Sequence, residues 1–308
     1  MQRFGLCLMA AAGGLMLAST HAYAATNTTD DATTVELQAE ALPQAQRRDL
    51  ELSARRNPYA ISPHKPNFLL PLSWSRRTHG APFNMADSEL QNFEVKFQLS
   101  FKVAIWEEPL SLPLDLYFAY TGRSFWQAFN RDKSAPFRDT NHEPEAFVST
   151  FGDWQLGPLR DVNLRAGFSH QSNGQPLPLS RSWNRIYTGV EARWRRFFLD
   201  LVIWDRLPED PKDGPDDPKG DDNPDIERYV GNGQFSVGWV INNKTVRVSL
   251  RNNLRADNRG ALTAAFTYPI NTRLKGYVEF FSGYGETLID YNHSNERLSF
   301  GIAISDWP

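Results

Sequence analysis

An all-β fold, an antiparallel twelve-stranded transmembrane outer-membrane β-barrel, is what this sequence predicts. Three observations predict it. About twelve segments alternate apolar and polar residues with period two, no helix-period segment of useful length separates them, and the chain opens with the pattern of an export signal. Successive strand side chains point to opposite faces, so alternation makes one face apolar and the other polar. Strands without intervening helices argue against a parallel α/β sheet and leave an antiparallel meander.

Taken in chain order, residues 1–24 read as a secretory signal peptide. Arg3 supplies the positive start, Phe4 to Leu17 is mostly apolar, and Ala22-Tyr23-Ala24 has the small-x-small form of a cleavage site. The apolar run is too short for a membrane-spanning helix. Residues 25–60 are polar, Thr-rich and charged without a period, which reads as a flexible N-terminal extension. The barrel domain is expected over 61–308. Its alternating segments lie near 68–76, 93–105, 112–120, 145–154, 162–172, 182–194, 196–204, 233–241, 245–254, 261–268, 273–281 and 297–305. The clearest is 93–105, where Phe93, Val95, Phe97, Leu99, Phe101, Val103 and Ile105 share one face and Glu94, Lys96, Gln98, Ser100 and Lys102 lie on the other.

A soluble sandwich also alternates. Here, however, charged residues such as Lys96, Lys102, Arg165, Arg185, Glu191, Arg193 and Glu279 recur on the polar face. An exported meander of about twelve such strands fits a barrel whose apolar face meets lipid and whose polar face lines the lumen. Aromatics make up 13% of the chain, and barrels use such residues in belts at the two membrane interfaces. The 33 basic and 36 acidic residues give a net charge of −3, so no basic surface for nucleic acid is implied. Cys7 is the sole cysteine and lies within the signal segment, which excludes an intrachain disulfide or a cysteine-based metal cluster. Residues 209–225 carry eight acids, two lysines and four prolines and read as a long solvated loop; the segment lacks the EF-hand spacing for calcium.

One apolar column changes character. In 162–172 the even positions run Val162, Leu164, Ala166, Phe168, then His170 and Ser172. The next strand places Asn184 on its mainly apolar column with Ile186 and Val190. If His170 faces Asn184, the antiparallel index sum of 354 also pairs Ser172 with Ser182 and centres the loop on Leu177. A hydroxyl, an imidazole and a carboxamide then gather at one rim, on the outside of the sheet. A serine is a weak nucleophile until a base takes its proton, and that base needs a partner to fix its tautomer. An amide provides that orientation without burying a second charge beside hydrocarbon. A Gly-x-Ser-x-Gly elbow is absent. His64, His79, His142 and His293 have no comparable partners in sequence and are expected at the surface.

The string Gly167-Phe168-Ser169-His170-Gln171-Ser172-Asn173-Gly174, followed by Ser180-Arg181-Ser182-Trp183-Asn184-Arg185, closely resembles the outer-membrane phospholipase A family. Similar stretches are Ser134 to Asn141 with Glu143-Pro144, Asp221 to Asp225, and Ser282 to Glu286 with Leu288 to Asn292; the resemblance runs from about residue 56 onward. It implies calcium-dependent hydrolysis of acyl esters of phospholipids and lysophospholipids in the outer membrane, by a homodimer. It also implies Ser172 as nucleophile, His170 as general base, Asn184 as orienter and the Gly174 amide in the oxyanion hole. The implied calcium ligands are the Ser180 hydroxyl and the Gln175 carbonyl, with the Ser134 carbonyl from a partner barrel. The chain departs from the family pattern in having Gly122 where a glutamine is usual at the dimer face. Gln175 replaces a charged residue, Leu177 replaces an aspartate, the acidic loop is longer, and Trp307-Pro308 stands in place of a terminal aromatic. The alternative reading is a non-catalytic outer-membrane barrel or pore, for which small or weakly charged lumen residues would be the cue.

Overall fold

The computed structural model describes residues 57, 60–150, 154–214, 217, 219–271 and 273–305. The expected signal peptide at 1–24 and nearly all of the expected extension at 25–60 lie outside the described residues.

A two-residue strand β1 (Ser62–Pro63) precedes twelve longer ones: β2 (Asn67–Ser75), β3 (Phe93–Glu107), β4 (Leu114–Trp126), β5 (Phe137–Thr150), β6 (Arg160–Ser172) and β7 (Ser182–Trp194), then β8 (Phe197–Leu207), β9 (Gly233–Ile241), β10 (Lys244–Asn252), β11 (Gly260–Pro269), β12 (Lys275–Gly283) and β13 (Asn295–Ser305). Each of β2 to β13 pairs antiparallel with its neighbours, and β13 pairs with β2, closing a twelve-stranded barrel without a free edge. β1 continues the β2 edge, pairing Ser62 with Lys102 of β3. A short α-helix, α1 (Ile226–Val230), sits in the β8–β9 connection.

Closure turns the alternation into an inside and an outside. Leu99, Ile105, Leu164, Phe168, Ile186, Leu201, Ile203, Phe235, Leu250 and Phe300 are exposed along the outer wall, while Lys96, Gln98, Ser100 and Lys102 are buried within. The inward charges meet opposite charges. Lys96 Nζ lies 2.6 Å from Glu279 and 2.9 Å from Glu286, and Arg165 pairs with Glu191 and, at 2.6 Å, with Asp200. Arg297 bridges Glu94 and Glu286, each at 2.8 Å. Trp183, Arg185, Tyr187 and Glu191 point into the same interior, and Arg193 is held by Asp161 at 2.6 Å. Trp183, Arg185, Tyr187 and Glu191 line a cavity of about 290 Å³ inside the barrel.

Most strand ends lie within three residues of the alternation, and two strands depart further. The 112–120 segment runs on to Trp126 in β4, and the 145–154 segment begins at Phe137 in β5. Glu143, Pro144 and Glu145 interrupt the apolar pattern of β5, yet its pairing with β4 runs straight through them. Tertiary pairing overrides the weak local preference there. The histidines are also not simple surface residues. His64 is inside, 3.0 Å from Glu145; His79 lies 2.9 Å from Asp290 and stacks on His293 at 4.3 Å; His142 bonds Tyr120.

The connections 76–92, 127–136, 173–181, 208–232, 253–259 and 284–294 all emerge at one rim. Outer-membrane barrels carry longer loops on the extracellular side and short turns on the periplasmic side. From this rim α1 and the 284–294 loop fold inward, burying Ile226, Val230, Leu288 and Tyr291 against Trp183.

Candidate active site

The unusual column lies at that long-loop rim. β6 and β7 pair His170 with Asn184 and Ser172 with Ser182. His170, Ser172 and Asn184 share the outward face with exposed Leu164, Phe168 and Ile186 and are themselves half-buried. His170 Nδ1 lies 2.9 Å from Asn184 Oδ1. With the amide oxygen as acceptor, Nδ1–H is the donor, which leaves Nε2 free as the basic nitrogen. Ser172 is two residues along the same strand. Among the described residues no hydrogen bond links it to His170, and such contacts commonly tighten only when substrate binds.

The inner face fixes the outer one. Between the two outward pairs, Gln171 and Trp183 pair inward, and the indole N–H donates to Gln171 Oε1 at 2.8 Å. Arg185 packs on the Trp183 ring at 4.2 Å and reaches Glu143 at 2.5 Å. A one-residue slip would carry the whole polar column to the other face, so this interior clamp holds the register that the site needs.

The 173–181 loop is organised by buried Asn173. Its Oδ1 accepts from the amides of Gln175 (3.3 Å) and Arg181 (2.9 Å), and its Nδ2 donates to the Leu179 carbonyl at 2.9 Å. Gly174 follows with φ +64°, in the left-handed region that favours glycine. The Ser180 hydroxyl donates to Asp222 at 2.6 Å, and the Ser182 amide donates to Asn223 Oδ1 at 3.0 Å. Ser134 is exposed on the 127–136 connection at the same rim. Ser180 Oγ, the Gln175 carbonyl and the Ser134 carbonyl are all hard oxygen donors, and the Asp222 carboxylate lies beside Ser180. That chemistry fits calcium, which accepts hydroxyl, carbonyl and water oxygens.

The acidic segment differs from a merely solvated loop. It folds back over the site, with Glu209 on Asn184, Asp221 2.5 Å from Arg206, and Asp222 2.8 Å from Lys212. Asn184 Nδ2 donates to Glu209 Oε1 at 3.2 Å, so the carboxylate holds the amide with its oxygen turned to His170. A charge run shows no such partner in sequence, because Asn184 and Glu209 meet only through the β7–β8 pairing. Burial, with Asp221 adding to it and Arg206 opposing it, raises the Glu209 carboxyl above its ordinary value. Glu209 therefore loses its charge at a higher pH than a free glutamate, and the contact with Asn184 weakens as pH falls through that value. Glu209→Gln is expected to lower kcat about 3–10-fold with KM unchanged, the scale of one hydrogen bond. The acidic limb of its pH–kcat profile should fall with one proton, where the unmodified protein falls more steeply. Parallel limbs would remove Glu209 from the active network.

His142 was also outside the expected cluster. Its strand was expected to begin at 145, and the true start at Phe137 makes His142 the direct partner of Ser172. Its signal is the same as that of His170, a polar side chain on an outward column with Ala146 and Val148.

Comparison with known proteins converges on the same reading. The phospholipase A1 family model matches residues 45–304. A Neisseria meningitidis serogroup B protein, provisionally named a phospholipase A1, is 38% identical over 84% of this chain and 69% of its own length. Phospholipase A1 of Escherichia coli K12 is 33% identical over 81% of this chain and 83% of its own. A Salmonella typhi outer membrane phospholipase, solved as a dimer with bound calcium, superposes with a TM-score of 0.73 at 30% identity, covering 81% of this chain and 94% of that one. An Escherichia coli outer membrane phospholipase A solved as an active-site asparagine-to-alanine mutant gives 0.75 at 29% identity, covering 84% and 98%. A closed twelve-stranded barrel, a family match over most of its length and relatives of this similarity together make the chain a member of the phospholipase A1 family, outer-membrane enzymes that hydrolyse esters.

Proposed function

We propose that this enzyme hydrolyses acyl esters of phospholipids and lysophospholipids with Ser172 as nucleophile, His170 as general base and Asn184 as orienter, and that it works as a calcium-dependent homodimer. The observation that carries the reading is the 2.9 Å contact between His170 and Asn184, beside Ser172, on the wall that faces lipid. Acyl chains lying against that wall bring their ester carbonyl to the rim without leaving the membrane.

Ser172 Oγ attacks the carbonyl carbon as its proton passes to His170 Nε2. The carbonyl oxygen becomes an oxyanion, to which the Gly174 amide donates. Collapse expels the glycerol oxygen, which takes the proton from His170, and the acyl group remains on Ser172. Water, deprotonated by the same imidazole, then releases the fatty acid. Asn184 keeps the imidazole in the required tautomer throughout, and Glu209 holds Asn184. The Escherichia coli mutant described above places an asparagine in that protein's active site, which supports the role.

Calcium would be held by the Ser180 hydroxyl and the Gln175 carbonyl, with the Ser134 carbonyl of a second copy. When bound, it supplies positive charge to offset the negative charge that develops on the ester oxygen. The Salmonella typhi outer membrane phospholipase, solved as a dimer with bound calcium, supports calcium binding and dimerisation. Dimerisation would then be the activating step, because one barrel alone lacks a ligand.

The test is fatty-acid release from phosphatidylcholine in mixed micelles. Chelation of calcium is expected to lower the rate at least about tenfold, with recovery on readdition of Ca²⁺. A rate indifferent to chelation overturns the calcium requirement. Asn184→Ala is expected to retain partial activity, about 10²-fold down, because an orienter contributes less than a nucleophile.

A further inference from the structure

Ser172 has a second histidine beside it. β5 pairs His142 with Ser172 on the outward face. The Tyr120 hydroxyl lies 2.6 Å from His142 Nδ1. The phenol reaches that nitrogen because Gly122, facing His142 from β4, has no side chain; a Cβ there would stand 3.2 Å from the Tyr120 oxygen. The other edge of the imidazole lies over Gly174, where a Cβ would sit 3.7 Å from Cδ2 and 3.8 Å from Nε2. A phenol is a ready donor, and with Tyr120 donating to Nδ1 the proton of the neutral ring sits on Nε2. The N–H then stands on the edge of the ring that lies beside Gly174, on the strand position that pairs with Ser172.

We infer that His142 is a catalytic residue, and that its Nε2–H is a second protein donor to the oxyanion formed on the substrate ester. This rests on Ser172 being the nucleophile. The step transfers no proton from His142. As Ser172 Oγ bonds to the carbonyl carbon and its proton moves to His170, the C=O electron pair shifts onto oxygen, and His142 and Gly174 each donate a hydrogen bond to it. Tyr120 is a positioning residue that holds the tautomer. A polar ring on a lipid-facing wall, clamped by its own donor, is otherwise costly.

The experiment measures kcat, KM and inhibition by a long-chain trifluoromethyl ketone, whose Ser172 adduct carries the same oxyanion. The full-length protein is used in mixed micelles with calcium. His142→Phe is expected to lower kcat about 10²-fold, as removal of an oxyanion donor does, with KM nearly unchanged and ketone affinity falling in proportion. His142→Gln, which keeps an N–H donor, should recover about tenfold of the loss. Tyr120→Phe, which deletes one oxygen, should lose about tenfold in both kcat and ketone affinity.

A kcat within threefold of the unmodified enzyme in His142→Phe overturns the inference. So does a fall in kcat with ketone affinity intact, which marks a merely structural residue, and so does a change confined to KM, which marks a headgroup contact. Should His142→Phe fail to fold, Tyr120→Phe decides by the same criteria. Ser172→Ala is assayed alongside. Full activity there overturns the serine mechanism and this inference with it, whereas an inactive Ser172→Ala beside an unaffected His142→Phe removes the inference alone.

Discussion

Ser172→Ala is expected to lower fatty-acid release by about 10⁴-fold or more while leaving the barrel folded, because nucleophile and base act as a unit and loss of either removes nearly all of their joint contribution. For the same reason the double variant Ser172→Ala/His170→Ala should be no worse than the single one. The outward position makes the folding half of this expectation firm. Among the described residues Ser172 belongs to no buried ion-pair network, and its strand is registered from the inside by Gln171, Trp183 and Arg185. The measurement pairs the micelle assay with the thermal melting midpoint of the same preparation. Unimpaired hydrolysis by Ser172→Ala would remove the serine mechanism.

The largest expected loss of stability is at the opposite face of the wall. Glu94 is fully buried between two guanidinium groups, with Arg138 Nε at 2.6 Å and Arg297 Nη2 at 2.8 Å, and Gln127 donates to it at 2.9 Å. Arg138 is shared with Asp290 and Arg297 with Glu286, so Glu94 sits at the centre of a network joining β3, β5, β13 and the 284–294 loop. Removing one member of a buried ion pair leaves its partners uncompensated, an effect of about 3–5 kcal/mol. Glu94→Ala is therefore expected to lower the unfolding free energy by about that amount, read from the urea midpoint in detergent at constant m-value. The exposed pair Arg76–Glu296, at 2.6 Å, is the control, and Glu296→Ala should leave the urea midpoint nearly unchanged. Equal shifts for the two variants would mean that the interior is well enough hydrated to screen its charges.

The legibility of this protein follows the range of the forces involved. Alternation is a local property of the extended chain, so Phe93 to Ile105 reveals a strand, its lipid face and its lumen face from thirteen consecutive residues. The pairing of His170 with Asn184 was equally accessible, since the two strands are joined by one short loop and a single index sum defines their register. β5 was harder. The alternating segment was expected only from residue 145, and only pairing with β4 and β6 shows the strand beginning at Phe137, with His142 beside Ser172. The acidic segment 209–225 reads as solvated because nothing local says that Glu209 reaches Asn184 or that Asp222 reaches Ser180.

The amino-acid order alone therefore determined that this chain is a wall of alternating strands with a serine, a histidine and an asparagine on its oily side, because side-chain direction in a strand depends only on the parity of position. What tertiary structure decided is which distant groups meet those three. His142 with Tyr120 reaches Ser172 only when β4, β5 and β6 pair, and Glu209 and Asp222 reach Asn184 and Ser180 only when the acidic segment folds back, contacts between segments that carry no local record of one another.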